Sequence, residues 1–194
     1  MIKSKLYNFF LIGIIFICLA LVVVQNFNFI TGFTVEYSAT SDVSVLKSLS
    51  ISFSDNLSEG ILFGDIAILP VEDVNASHNY DGVDNSTSLY INISQDGNTP
   101  VDLCVKASGN LVSLAADEIG LGNETYSNST SSNSTDPLLS QDFSLTTSYI
   151  KSGGEIPTGG INYYRFWLDI QASQPSGEYN NTISFKAIQT GSSC

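Results

Sequence analysis

The chain has little charge of either sign and very few basic residues. Only 13% of its 194 residues are charged, with 7 lysines and arginines against 19 aspartates and glutamates, so the formal net charge is −12. Proteins that bind nucleic acid present clustered positive charge to the phosphates, and an acidic surface repels those phosphates. The composition therefore excludes nucleic acid as a partner.

Histidine and cysteine, which supply many metal-binding and catalytic groups, are also scarce. The single histidine, His78, lies in a polar turn, and there are 3 cysteines. The sequence contains no zinc-binding helix, phosphate-binding glycine loop or dinucleotide fingerprint. A Ser-His-Asp triad would have to use His78, and a carboxylate pair for glycoside hydrolysis has no distinguishing pattern in so acidic a chain. We therefore predict that the protein is not an enzyme and has no cofactor or metal ion.

One acidic segment leaves calcium binding as an alternative. Loops rich in carboxylate and amide oxygens chelate Ca²⁺. Five such residues fall within 14 positions, namely Glu72, Asp73, Asp81, Asp84 and Asn85. Their spacing does not match the EF-hand loop, and we favour a solvated acidic loop.

Against this shortage of charge, the chain begins with a long apolar run. Residues 6–24 contain no charged side chain, and a helix of this length spans roughly 28 Å, close to the hydrocarbon core of a bilayer. Lys3 and Lys5 precede the run, so the amino terminus is expected in the cytoplasm. We predict a single-pass cell-membrane protein. Residues 1–30 form a basic start and a transmembrane signal-anchor helix, and residues 31–194 form an extracellular domain.

Two other interpretations of the apolar run remain. A cleaved signal peptide also has a basic start, but its apolar region is usually about 7–15 residues long and ends at a small-x-small cleavage site. Residues 22–27 offer no such site. Archaeal pilins are trimmed after a basic-Gly pair, which Lys5-Leu6 does not match. We therefore favour an uncleaved anchor.

Sequons for asparagine-linked glycosylation are frequent beyond residue 31. Chance predicts roughly three Asn-x-Ser/Thr sites from this composition. Eight are present, at Asn56, Asn75, Asn85, Asn92, Asn123, Asn128, Asn133 and Asn180. A polar, loop-rich composition also produces sequons by accident, but the predicted outside location favours glycosylation at several of them. Three crowd into residues 122–137, which have almost no apolar side chains and are predicted to form a flexible exposed loop.

The extracellular part has the pattern of an all-β domain. Turn residues separate short alternating or β-rich runs. These runs predict strands at residues 43–46, 49–53, 64–69, 88–94, 101–107, 143–148, 162–170 and 178–188. Short strands at this spacing are typical of a Greek-key β-sandwich, either immunoglobulin-like or a jelly roll.

The strand predicted at residues 88–94 carries one of the sequons. Its alternation places Leu89, Ile91 and Ile93 toward the core and Asn92 toward solvent, which leaves the sequon accessible. An Asp-Gly pair tolerates the positive φ of a tight turn, so a hairpin at Asp96-Gly97 is predicted to join this strand to the next.

Aromatic residues give two further local predictions. Tyr179 follows a Pro-Gly turn and is either a tyrosine corner, in which the phenol bonds the backbone a few residues upstream, or a plain core tyrosine. Trp167, the only tryptophan, is predicted as a core anchor. Arg165 and Asp169 lie on the same face of its strand and are predicted to pair.

The cysteines divide between the two parts of the chain. Cys18 lies in the apolar run and is interpreted as an apolar filler. Cys104 and Cys194 lie outside, where the simplest outcome is one disulfide bond. Closing so long a loop stabilises a fold by about 4–5 kcal/mol in the chain-entropy model. Free thiols, or a bridge between chains through Cys194, are the alternatives.

Four segments and the terminal cysteine resemble a known group of proteins. The segments are residues 56–65, 99–107, 164–170 and 174–187, followed by Cys194. Together they resemble small archaeal cell-surface β-sandwich proteins with a single anchor, whose function is uncharacterised. More loosely, an apolar segment before a β-sandwich is similar to biofilm-fibre and bundling-pilus subunits. That similarity implies polymerisation by donation of an amino-terminal strand. Residues 31–39 are the candidate donor, and the alternatives are that they form the first strand of the domain's own sheet or a short stalk.

Three functions follow from these observations as hypotheses. The first is a membrane-anchored, N-glycosylated surface protein with a structural, envelope or adhesive role, whose partners are other surface proteins or copies of itself. The second is a subunit of an extracellular pilus or fibre assembled by donor-strand exchange. The third is a calcium- or carbohydrate-binding surface module.

Overall fold

The structure is a computed structural model that describes residues 12–18, 43 and 48–194. The chain divides into two compact units, Met1–Ser44 and Val45–Cys194. In the first unit, residues 12–18 are helical and exposed. The rest of the predicted span, the boundary at residues 30–31, the donor segment 31–39 and most of the strand at 43–46 lie outside the described residues. None of the described helices is long and apolar enough to cross a bilayer.

Residues 48–194 consist mostly of antiparallel β-structure, which confirms the all-β prediction. In chain order the strands are β1 (Ile51–Phe53), β2 (Val71–Asn75), β3 (Tyr90–Ile93), β4 (Val101–Ala107), β5 (Leu111–Ser113), β6 (Glu118–Ile119), β7 (Glu124–Ser129), β8 (Phe143–Ser144), β9 (Ile150–Ile156), β10 (Ile161–Ile170), β11 (Tyr179–Asn180) and β12 (Ile183–Gln189). Helical structure within this range is limited to Asp55–Glu59 and the 3₁₀ turns Leu121–Asn123 and Leu139–Gln141.

The strands form three antiparallel sheets. The large sheet has the order β1-β3-β10-β7-β8, and β2 also pairs with β10. β7 lies along one edge of β10, while β3 and β2 pair with the two ends of its other edge. The back sheet has the order β12-β4-β9, and the small sheet has the order β11-β5-β6.

Side chains of the large sheet and the back sheet meet in one apolar core. Tyr164 and Phe166, alternate residues of β10, belong to the same buried cluster as Leu103 and Val105 of β4. The rings of Tyr164 and Phe185, from the two sheets, meet edge to face with their centroids 5.2 Å apart, a favoured aromatic arrangement. A second, smaller buried cluster consists of Leu111, Ile119, Leu168 and Ile170.

Most of the strands predicted from alternation are present. The runs at residues 49–53, 88–94, 101–107 and 143–148 contain β1, β3, β4 and β8. The run at 162–170 contains all but the first residue of β10, and the run at 178–188 contains β11 and most of β12. Leu89, Ile91 and Ile93 are buried and Asn92 is partly exposed, as the period of two predicted. The strand predicted at residues 64–69 is wrong, because these residues form no ladder.

The loop predicted over residues 122–137 is wrong for its first half. Residues 124–129 form β7, which pairs with β10 over six residues. The prediction assumed that a segment with few apolar side chains is exposed to solvent. Here Tyr126 fills the core, while Glu124 and Ser127 are buried as well, because the two neighbouring strands and the facing residues supply hydrogen bonds.

The hairpin predicted at Asp96-Gly97 is also wrong. β3 lies between β1 and β10 in the large sheet, whereas β4 is the central strand of the back sheet. The turn therefore carries the chain from one sheet to the other. An Asp-Gly pair indicates a turn, but it does not determine whether the flanking strands pair with each other.

The predicted disulfide bond between Cys104 and Cys194 is formed. Cys104 lies in β4 and is fully buried, so the bridge ties the end of the described chain to the middle of the back sheet. Two hydrogen bonds hold the same segment, from Lys186 Nζ to Cys194 O at 2.6 Å and from Gly191 N to Asp102 Oδ2 at 3.1 Å. The bridge and these bonds lie on the face of β4 opposite its core residues Leu103 and Val105.

Candidate functional site

A cleft of about 970 Å³ opens on the surface of the domain. The loop at residues 60–69 forms one wall, and the segment from residue 174 to 183 forms another. Its apolar lining includes Ile61, Phe63, Leu111, Ile119, Leu168 and Ile183. These side chains link the two buried clusters, so the cleft is an open continuation of the core.

The loop at residues 60–69 has an unusual backbone for so apolar a segment. Within the described part of the chain, the backbone hydrogen bonds of residues 61–69 are limited to one, from Ser77 N to Leu62 O at 2.7 Å. Leu62 and Ile68 are also exposed, at 52% and 80%. A strand-like sequence without a ladder leaves its N–H and C=O groups available to another chain.

Glu124 places a buried carboxyl group in the lining of this cleft. It is 2% exposed, and its Oε2 accepts a 2.6 Å hydrogen bond from Asn181 Nδ2. Burial raises the pKa of the Glu124 carboxyl above its ordinary value, and the bond from Asn181 offsets part of that effect. The bond joins β7 of the large sheet to the segment that leads into β12.

Arg165 is the centre of a second polar site, on the opposite face of β10 from the core. It is the only arginine in the chain and is 1% exposed. Its guanidinium donates four hydrogen bonds to backbone carbonyls, those of Asn79 (2.6 Å), Asn85, Asn133 and Pro137 (2.7 Å each). The ring of Tyr80 covers it at 4.1 Å.

The electrostatics of Arg165 follow from this enclosure. Burial lowers the pKa of the guanidinium from its ordinary value, and Tyr80 and Asp136 oppose that effect. Because arginine stays protonated in proteins, a positive charge is held beneath two loops, residues 79–86 and 131–137. The predicted pairing of Arg165 with Asp169 is wrong, because Asp169 Oδ1 instead accepts from Asp73 N at 2.8 Å.

Asn79 completes an interrupted edge of β10. Between the stretches paired with β3 and β2, the Asn79 side chain donates to Phe166 O at 2.6 Å and accepts from Phe166 N at 3.0 Å. The Asn79 amide therefore makes the two hydrogen bonds with Phe166 that the backbone of a neighbouring strand would make elsewhere in the sheet. This contact and the Arg165 bond fix the loop at residues 76–86 to the sheet from two directions.

The residues around His78 do not form a catalytic triad. His78 Nδ1 contacts Asp81 Oδ2, and Ser88 Oγ donates to the same carboxylate oxygen at 2.6 Å. In a Ser-His-Asp triad the serine bonds to the histidine, whereas here the aspartate lies between the other two residues. The bonds from Ser88 and His78 lower the pKa of Asp81.

The acidic residues considered for calcium do not gather into one site. Among the described residues, no group of three or more histidine, cysteine, aspartate or glutamate side chains is close enough to hold a metal ion. Asp73 sits in the bulged part of β2, while Asp81 is engaged with His78 and Ser88.

The two aromatic predictions are resolved by hydrogen bonds. Of the two alternatives for Tyr179, the structure has the tyrosine corner, because the hydroxyl donates to Pro175 O at 2.7 Å, four residues upstream. Trp167 is buried as predicted, at 1% exposure. Neither apolar cluster includes it, and its Nε1 donates to Asn75 Oδ1 at 2.8 Å.

All eight sequon asparagines lie within the described residues and none is buried. Exposed are Asn75, Asn85 and Asn180, and partly exposed are Asn56, Asn92, Asn123, Asn128 and Asn133. Glycan occupancy at these positions stays a prediction.

Two comparisons with known proteins leave the family of this chain undetermined. No protein-family model matches the chain, and no curated protein matches it.

The raised pKa of Glu124 predicts a specific pH dependence of stability. The folded state holds the proton more tightly than the unfolded chain, so this group's contribution to the free energy of unfolding falls as pH rises through the folded pKa. Glu124→Gln removes that loss. We expect the variant to match the wild type at acid pH and to become the more stable one as pH rises, in urea unfolding followed by circular dichroism. Glu59→Gln, at an exposed position, is the control, and parallel pH curves for Glu124→Gln and the wild type would contradict the prediction.

Proposed function

We propose that the protein is a non-catalytic, N-glycosylated cell-surface protein with a structural, envelope or adhesive role, held by an amino-terminal membrane helix. The observation that carries the proposal is the Cys104–Cys194 disulfide, because structural disulfides persist in oxidising compartments outside the cytosol. The sequons on the surface of the same domain support it. The basic residues before the apolar run give the orientation, with the carboxyl-terminal domain outside.

The proposal includes three finer assignments. They are a Greek-key sandwich of immunoglobulin-like or jelly-roll type, a single transmembrane anchor over residues 6–24, and a kinship with archaeal single-anchor surface proteins. The shared core between the large sheet and the back sheet supports the sandwich. The resemblance of residues 56–65, 99–107, 164–170 and 174–187 supports the kinship.

The primary proposal is tested on native protein. We expect intact-mass analysis of the membrane fraction to find a chain that begins at Met1, and glycopeptide mass spectrometry to find hexose-containing adducts on sequon asparagines. The anchor retains the chain in the membrane, and the outside location exposes the sequons to transfer. A soluble form that begins near residues 26–34, or a membrane form without any glycan, would count against the proposal.

The cleft favours a second candidate, a fibre subunit that accepts a strand from another copy. An incoming strand needs an apolar groove for its alternate side chains and a free backbone edge for its hydrogen bonds. The cleft offers the groove, and residues 61–69 offer the edge. The sequence of residues 31–39, TGFTVEYSA, alternates apolar and polar residues as a donor strand requires.

The fibre candidate predicts the effect of a charge in the cleft. Leu62 lines the cleft and is 52% exposed, so Leu62→Asp leaves the core intact and places a carboxylate where an apolar side chain would dock. We expect this variant to lose filaments in electron microscopy and pelleting assays. Leu114→Asp, at a fully exposed turn position, is the matched control and should assemble normally. Equal assembly of both variants, or no filaments from the wild type, would eliminate the candidate.

A further inference from the structure

The eight sequons differ in how much of the sequon the folded domain leaves accessible. A glycosyl transferase must reach the asparagine side chain and the two residues that follow it. In four sequons the residue after the asparagine is buried, and in the Asn85 sequon Thr87 itself is 3% exposed. Asn128 and Asn180 are paired within β7 and β11. Asn133 stands apart, because Ser134 and Thr135 are both exposed and neither belongs to a strand.

Asn133 also differs in the hydrogen bonds of its own carboxamide. Its Oδ1 accepts from Thr135 N at 2.8 Å, from Thr135 Oγ1 at 2.7 Å and from Asp136 N at 3.0 Å. Among the eight sequons, it alone has a recorded hydrogen bond from the hydroxyl at the third position to its asparagine. In the Asn85 sequon, by contrast, Thr87 Oγ1 donates to His78 O and Tyr164 O.

These contacts act on the nitrogen that a glycan would join. Three donors on Oδ1 draw electron density toward the oxygen and make the Nδ2 protons more acidic. Asp136 Oδ2 lies 3.4 Å from Nδ2 and is an acceptor for one of those protons. Arg165 fixes the same turn from below through the Asn133 and Pro137 carbonyls, so the arrangement does not have to be assembled during the reaction.

We propose that Asn133 is the sequon that the folded domain presents for glycan transfer, with Asn133 Nδ2 as the acceptor and a polyprenyl-diphosphate-linked oligosaccharide as the donor. The other seven sequons are modified only before their segments fold or when they open locally. The proposal rests on the N-glycosylated surface role proposed above.

The transfer itself is a substitution at the first carbon of the sugar. The bond between that carbon and the phosphate oxygen breaks, and the polyprenyl diphosphate departs with the electron pair. A bond from Nδ2 to the same carbon forms, and the Nδ2 proton passes to a carboxylate, for which Asp136 is the acceptor within the turn. The transferase supplies the donor site, and no oxidant or reductant is needed.

A transfer assay on unglycosylated full-length chain with its disulfide intact tests the proposal. The probe is a single-subunit oligosaccharyltransferase with a polyprenyl-diphosphate-linked oligosaccharide, and isolated peptides that each contain one sequon give the intrinsic preference. Glycopeptide mass spectrometry at early times is expected to find Asn133 occupied first in the folded chain, ahead of its rank among the peptides. If the folded chain follows the peptide order, or Asn133 is modified late, the proposal is overturned.

A variant outside the sequon tests the role assigned to the turn. Asp136→Ala leaves residues 133–135 unchanged, and we expect transfer to Asn133 to slow by about fivefold, the effect of one lost hydrogen bond. Asp65→Ala, at an exposed position, is the control. An unchanged rate at Asn133 in a folded Asp136→Ala chain overturns that role. Because the assay starts from unglycosylated protein, its result is independent of whether native protein carries glycans.

Discussion

The buried charge of Arg165 is the constraint on which one whole face of the domain depends. An ionised group without solvent is tolerated only when its donors are paired, and here backbone carbonyls supply all four recorded bonds. Hydrogen bonds to charged groups contribute about 1.5–3 kcal/mol each. Arg165 therefore links the two loops that supply these carbonyls, residues 79–86 and 131–137, to each other and to β10.

This constraint links the scaffold to its surface chemistry. Asn85 and Asn133 are sequon asparagines, and both give their backbone carbonyls to the same Arg165 nitrogen, Nη2. Their backbones are thus held while their side chains remain accessible. The cleft on the other side of the large sheet follows a different principle, since apolar side chains form its walls and the backbone of residues 61–69 stays largely unpaired. One face of the domain is fixed by polar bonds, and the other has an open apolar cleft.

The sequence predicted those parts of the fold in which a residue pattern has a single structural meaning. The alternation in residues 162–170 was sufficient to place β10. Two cysteines in a domain predicted to lie outside favoured a bond between them over free thiols or a bridge between chains. The Pro-Gly turn before Tyr179 left two roles open, a tyrosine corner or a plain core tyrosine, and the bond from its hydroxyl to Pro175 O decides for the corner. These signals are local, or they have a single available partner.

The features that were not predicted depend on contacts with residues distant in the sequence, which a local sequence pattern does not show. β7 was missed because Glu124 and Ser127 are buried with hydrogen bonds from distant residues. The Arg165 site was missed because its partners are backbone carbonyls, up to 86 residues away. Every residue has such a carbonyl, so the sequence does not show which ones bind the guanidinium. The available signal was a lone arginine on the outer face of an apolar strand beside Trp167. The loop at residues 64–69 was misassigned because strand-like composition does not guarantee a neighbouring strand.

Hydrogen exchange of Arg165→Met against the wild type tests the central claim most directly. If the guanidinium fixes both loops, the amides of residues 79–86 and 131–137 exchange faster in the variant, while those of β4, β9 and β12 keep their wild-type protection. Arg165→Lys, with a single ammonium in place of the fork, is expected to fall between the two. Unchanged protection in both loops of a folded Arg165→Met chain would contradict the account.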